Sequence, residues 1–274
     1  MKNHFLIIAA AIMGMALVSC NINVEGETFG GKTIKGDGNV VTRNFDVTAF
    51  NEISAALPAT VTFTVSDNYS CTVTVDENLF DYLEIKVDEG DLLLSKLKEH
   101  KNVNLRATKF VIDITAPNVE NINLAGSGTF NVLSPLNNEK MEVNVAGSGD
   151  VFFKQPVAAN EISLNVAGSG TLDCVELTAE TLEANVAGSG ELIVQQGAVK
   201  KAEANVAGSG DINLACDIDY LNAEIAGSGD IVAHVNGTLE YGIFGSGDIR
   251  YYGDAELKGD KVGGQVKRID APKR

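Results

Sequence analysis

The chain has no tryptophan, three histidines and five prolines among its 274 residues. Without tryptophan it lacks the side chain that most often stacks on sugar rings. His4 lies among the first residues, His100 in a charged loop from Lys96 to Lys101, and His234 at an outward position of a repeat. None has a recognisable Cys, Ser or Asp partner, so no acid–base centre is expected. Positive charge is scarce too: 21 Lys and Arg stand against 37 Asp and Glu, a net charge of −16. So acidic a body does not follow nucleic-acid phosphates, which excludes nucleic acid as a partner, and it stays soluble. Cysteines number four and show no CxxC spacing. After Cys20, the odd set Cys71, Cys174 and Cys216 makes neither a closed disulfide framework nor a zinc site. These three are expected to be small, buried, free thiols.

Long apolar runs are also few. One runs from Phe5 to Val18 behind Met1-Lys2-Asn3-His4. It is too short to span a bilayer and has the layout of a secretory signal over residues 1–19. The run ends Leu17-Val18-Ser19-Cys20, which resembles a bacterial lipobox. That resemblance implies lipidation of Cys20, usually with more than one acyl chain, and stable attachment to a lipid membrane. Removing residues 1–19 takes away one positive charge, Lys2, so the body goes from −16 to −17. Residues 20–37 are polar and glycine-rich and read as a flexible tether. The expected address is the cell envelope, as an outer-membrane lipoprotein on either the surface or the periplasmic side.

Gly-Ser-Gly occurs seven times, beginning at residues 126, 147, 168, 188, 208, 227 and 245, at intervals of 21, 21, 20, 20, 19 and 18. A degenerate eighth copy is Gly263-Gly264-Gln265. A fixed period marks stacked units, none of which can bury its apolar face alone. Within a unit, Met141-Glu142-Val143-Asn144-Val145 alternates apolar and polar residues, which means strands with one buried face. Two residues before each Gly-Ser-Gly stand Leu124, Val145, Val166, Val186, Val206, Ile225 and Ile243. Two residues after it stand Phe130, Val151, Leu172, Leu192, Ile212, Ile231 and Ile249. The expected fold is all-β, a right-handed parallel β-helix of 18–21 residues per coil. At about 4.8 Å per strand, seven coils give a rod roughly 30–35 Å long.

The polar parity predicts outward ladders. Asn123, Asn144, Asn165, Asn185 and Asn205 share one position, and the series breaks at Glu224 and Gly242. Stacked amides either clamp successive coils or line a ligand site. Directly after each Gly-Ser-Gly come Thr129, Asp150, Thr171, Glu191, Asp211, Asp230 and Asp248. The last four form an acidic run on adjacent coils, repelling by roughly 1 kcal/mol per pair in water. Either these side chains splay outward and accept backbone N–H bonds, or Ca²⁺ sits among Glu191, Asp211, Asp230 and Asp248.

Repeated Ala-Gly-Ser-Gly-Asp/Thr after Ala116-Pro117-Asn118-Val119-Glu120-Asn121-Ile122 resembles the putative auto-transporter adhesin, head GIN domain family. The stretch Phe45-Asp46-Val47-Thr48-Ala49-Phe50-Asn51-Glu52-Ile53 resembles the start of that family. The likeness spans roughly residues 40 to 268. It implies a surface or envelope protein of Bacteroidetes-type bacteria, with adhesion as the role carried by the family's name.

Residues 38–118 lack the repeat but alternate at Val61–Val65 and Thr72–Val75, and Ile85-Lys86-Val87 and Leu92-Leu93-Leu94 flank a hairpin turn. They form a β-rich cap or irregular opening coils before the repeat of residues 119–268, and residues 269–274 are a tail. Lys258, Lys261, Lys267, Arg268, Lys273 and Arg274 outnumber Asp260 and Asp270 there. They either protect a strand edge or dock an anionic partner. An enzyme needs convergent groups in a cleft, and coils that shrink to 18 residues have no length for its walls. No catalytic residue and no cofactor is therefore expected. The expected activity is binding of a glycan or a protein, with a purely structural or regulatory envelope role as the alternative and a polysaccharide-cleaving β-helix enzyme as the least favoured reading.

Overall fold

Period-two alternation with β-branched residues inside gives strand after strand: the described residues are 68% strand and 4% helix. The structure, a computed structural model, describes residues 32–271. The signal segment, Cys20, most of the tether, and Lys273 and Arg274 of the tail lie outside the described residues.

The first repeat coils have a long strand, the Gly-Ser-Gly corner and a short strand; in later coils the short strand runs on into the next long one, as in Asp211–Gly227. Leu136–Gly147 followed by Asp150–Phe153 is one coil, and Val157–Gly168 followed by Thr171–Cys174 is the next. Successive coils pair in parallel and in register, Val145 on Val166 on Val186 and Val151 on Leu172 on Leu192. The stack makes a parallel β-solenoid of about seven turns. Both apolar columns predicted around the corner are buried from first member to last and belong to one continuous core.

The corner is glycine for two reasons. Its first residue takes a positive φ, 131° at Gly168, which side-chain-bearing residues resist. A Cβ there would also stand 2.1 Å from the Gly147 oxygen of the coil below. From the second corner on, each serine N–H donates to the first glycine's oxygen one coil back, as Ser169 does to Gly147 at 2.8 Å.

The N-terminal region is continuous with this stack. Glu52–Ala55 lies on Asn121–Gly126 and Thr60–Val65 on Thr129–Val132, so Ile53 stacks on Ile122 and Val61 on Phe130. These residues make an opening coil whose corner is Ala56-Leu57-Pro58-Ala59 instead of Gly-Ser-Gly. Beneath it, out of chain order, lie Asp91–Lys96 and Phe110–Ala116, still parallel. The pairing then turns antiparallel through Leu83–Asp88, Ser70–Asp76 and Val40–Phe45. Opening coils and cap are thus successive layers of one region. The predicted hairpin turn lies at Glu89-Gly90, both with positive φ.

Asp76 locks the cap. Its buried carboxylate accepts from the N–H groups of Gly38 at 2.8 Å and Thr108 at 2.6 Å. Burial alone would raise its pKa, but hydrogen bonds from the Thr108 backbone and side chain and from Gly38 outweigh that and hold it below the ordinary carboxylate value.

At the other end, Gly263 stacks over Gly245 and Gly264 over Gly247, a corner shortened by one residue. The last long strand, Glu256–Val262, is exposed throughout. Lys261 occupies the column below which lies buried Ile243, so a further coil would have to bury an ammonium group.

Candidate functional site

The acidic run after the corners obeys a simple rule. Where that position holds Asp, its carboxylate takes the backbone N–H of the equivalent residue one coil on. Asp150 accepts from Thr171 at 3.0 Å, Asp211 from Asp230 at 2.8 Å, Asp230 from Asp248 at 2.9 Å and Asp248 from Gln265 at 2.8 Å. Where it holds Thr129, Thr171 or Glu191, the next amide donates to a corner glycine oxygen instead, at 3.0 Å to Gly128, Gly170 and Gly190. An Asp carboxylate reaches the next amide with good geometry; Glu191, one methylene longer, leaves that bond to Gly190. Charge-assisted bonds of this kind offset the repulsion between stacked carboxylates. Asp230 also meets Arg250 at 2.6 Å, an exposed pair of small energetic weight. Glu191, Asp211, Asp230 and Asp248 are therefore strung along the axis. Among the described residues, no three His, Cys, Asp or Glu side chains are grouped to hold a metal ion.

The asparagine column is a clamp. Asn144 donates to Asn123, Asn165 to Asn144, Asn185 to Asn165 and Asn205 to Asn185, each at 2.9 Å. Each amide also donates to the outward residue two positions earlier, Glu183 for Asn185 at 2.9 Å and Glu203 for Asn205 at 3.2 Å. An exposed ladder is expected from the sequence, yet Asn185 and Asn205 are 6% and 4% exposed. Alternation assigns a face, but close stacking and the flanking glutamates cover it.

His234 has a partner after all. Its Nδ1 lies 2.5 Å from Asp217 Oδ1 one coil below, and its ring stacks on Tyr252 one coil above, centroids 4.6 Å apart at 11°. The three share one column, which only the stacking register reveals. Asp217 also lines one end of a shallow groove of about 440 Å³ across five coils. Small side chains of Ala158, Thr178 and Ala198 line its floor, and Asn160, Glu180, Lys200 and Asp219 its rim. Lys200 and Glu180 pair at 2.6 Å on the rim.

Cys71, Cys174 and Cys216 are free and buried. Burial pushes the Cys71 and Cys216 thiols up to about 12 and raises Cys174 as well, which keeps all three from acting as nucleophiles. Tyr220 is raised because its hydroxyl bonds to Glu240.

A family model described as putative auto-transporter adhesin, head GIN domain, matches residues 49–154 and again 147–255. The two matches fit a self-similar stack. A crystal structure from Parabacteroides distasonis, described as a putative lipid binding protein, shares 35% identity with a TM-score of 0.83, covering 87% of this chain and 100% of that one. Putative adhesins from Parabacteroides merdae and P. distasonis share 26% and 27% identity, with TM-scores of 0.81 and 0.80 over 87% of this chain and 100% of theirs. No curated protein matches.

Proposed function

The chain belongs to the putative auto-transporter adhesin, head GIN domain family, and on that premise we propose that it is a non-catalytic binding module of the cell envelope. In this reading acylated Cys20 holds it on the outer membrane and the outer face of the solenoid meets a glycan or protein ligand. The observation that carries the reading is the five-coil groove. Its floor of small side chains lets an extended, flat ligand approach the backbone, and its rim of Asn160, Glu180, Lys200 and Asp219 offers both donors and acceptors. The buried columns fill the inside of the coils, which leaves recognition to the outside.

Retention of glycans and matrix proteins on the immobilised mature chain tests this. Thr178→Arg with Ala198→Arg fills the groove and is expected to reduce retention at least tenfold. Retention unchanged by the double substitution would exclude the groove, and cleavage of a bound glycan would overturn the non-catalytic reading. Cys20→Ala is expected to release the protein from membranes; fatty-acid labelling of that variant equal to wild type would remove the anchor.

A lipid-binding reading has one observation behind it besides the description of the 35%-identical relative. Phe244, Leu257 and Val262 are 49%, 41% and 70% exposed on the last two coils, and Phe244 stacks on Val262. Flotation of the Cys20→Ala chain with vesicles, lost on Val262→Asp, would favour it.

A further inference from the structure

The asparagine ladder ends with an unmet demand. Every rung takes a donor from the next coil: Asn123, Asn144, Asn165 and Asn185 each accept, through Oδ1, the Nδ2–H of the following Asn. Asn205 Oδ1 points the same way, is sealed from solvent and has no hydrogen-bond partner, and the whole residue is 4% exposed. The residue stacked on it is Glu224. An ionised carboxylate accepts and does not donate, so the next rung is of the wrong kind. A buried acceptor left in this state costs about 1–3 kcal/mol and calls for an explanation.

The neighbouring column supplies two more oxygens. Glu203 precedes Asn205 by two residues on the same face, and Asn222 stacks on Glu203 as Glu224 stacks on Asn205. Four oxygen-bearing side chains thus stand at the corners of one small grid, with coils about 4.8 Å apart. A hard cation midway between two stacked oxygens would lie about 2.4 Å from each, within the Ca²⁺–oxygen range. The same four positions one coil earlier hold Glu183, Asn185, Glu203 and Asn205, and there the Asn205 Nδ2–H fills the gap. The later grid holds the same two Glu and two Asn in swapped order: Glu224 takes the place over Asn205 that an Asn takes one coil earlier, which removes the donor at that point, and Asn222 takes the place over Glu203.

We infer that Asn205, Glu224, Glu203 and Asn222 form a Ca²⁺ site that closes the asparagine ladder. Two carboxylates balance the charge of the ion, and two amide oxygens complete the protein's share of a hard, all-oxygen shell. The ion would join the last ladder coil to the coils beyond it, where Glu224 and Gly242 supply no amide rung. It is separate from the corner acids, whose Asp carboxylates hold backbone amides, and independent of what the groove binds.

The test is the melting temperature of the full mature chain in millimolar Ca²⁺ and in chelator. Wild type is expected to rise by about 3–5 °C with Ca²⁺. Glu224→Asn restores the ladder donor, so it is expected to melt in chelator at or above the Ca²⁺-loaded wild type and to show no Ca²⁺ response. Glu203→Gln removes one charge while keeping a side-chain oxygen for the Asn205 Nδ2–H, and is expected to weaken the apparent Ca²⁺ affinity at least tenfold. Asp211→Asn with Asp230→Asn is expected to respond as wild type does. A wild-type melt unmoved by Ca²⁺, a response that survives Glu224→Asn, or one abolished by the corner double substitution would each overturn the assignment.

Discussion

In the repeat coils the amides of Ser148, Ser169, Ser189 and Ser209 each reach a glycine oxygen one coil back, all at 2.8 Å. In the cap the amides of Gly38 and Thr108 reach a side chain instead, and it is the same one, Asp76. Both regions belong to one apolar core. They differ in how the polar backbone is satisfied once that core is buried. A solenoid coil finds its partner at a fixed offset of about one period, so the same bond recurs and no single copy is indispensable. The cap has to turn parallel pairing into antiparallel pairing, and it does so by gathering three chain segments around one carboxylate. Repetition distributes the risk of failure, whereas the cap concentrates it.

The sharpest way to break this comparison is to strike the core the two regions share. Val186→Asp puts an unpaired charge at a fully buried position and is expected to cost about 4 kcal/mol or more, read as loss of the cooperative urea transition. Gly168→Ala attacks the repeating bond itself. With φ at 131° and the Gly147 oxygen 2.1 Å from the new Cβ, a loss of about 2–4 kcal/mol is expected by chemical denaturation.

Asn165→Ala leaves Asn144 without its donor and Asn185 without its acceptor, for an expected cost of about 1–3 kcal/mol. If the ladder shares load as the corner does, Asn144→Ala should cost about the same.

The cap carries a carboxylate whose titration is coupled to folding. Asp76 is held ionised more strongly in the folded chain than in the unfolded one, so its contribution is present above the ordinary carboxylate pKa of about 4 and lost as pH falls through the lower folded value. Burial raises Glu52 and Asp91, which work in the opposite sense and favour the folded state on mild acidification. Asp76→Asn is expected to lower the melting temperature at pH 7 and to flatten its decline below about pH 4; an unchanged acid limb would deny Asp76 its place as the cap's lock. The smallest effect is a gain. Gly242 has an ordinary φ and nothing nearer than 3.8 Å to its missing Cβ, so Gly242→Ala is expected to stabilise by about 0.5–1 kcal/mol, opposite in sign to Gly168→Ala.

The strands, the coil period and both buried columns could be read from the sequence because their signals are local and repeated seven times. The opening coil could not. Ala55 stacks next to Leu124, 69 residues later, and its corner contains no Gly-Ser-Gly. Between the two, the chain goes out to build the cap and returns, and a detour of that kind leaves no period to detect. The Asp217–His234–Tyr252 column escaped for a related reason: its members are 17 and 18 residues apart, but they differ in kind, so no repeat draws attention to them. Apart from Cys20, which lies outside the described residues, the candidate positions were recognisable as columns. Their chemistry was legible only as pairs of alternatives, because whether a stacked carboxylate caps an amide depends on an ångström of side-chain reach.

By itself the sequence determined that this chain stacks, with which period, and which residues face inward. Hydrophobic alternation and corner glycines are decided by each residue's own geometry and its distance from the next copy. Tertiary structure alone decided which amide each Asp holds, how deeply the asparagines sink, where the ladder stops short and which strands fold back to close the open end. Those outcomes depend on neighbours brought together across a coil spacing of about 4.8 Å, where one methylene or one missing N–H changes the partner.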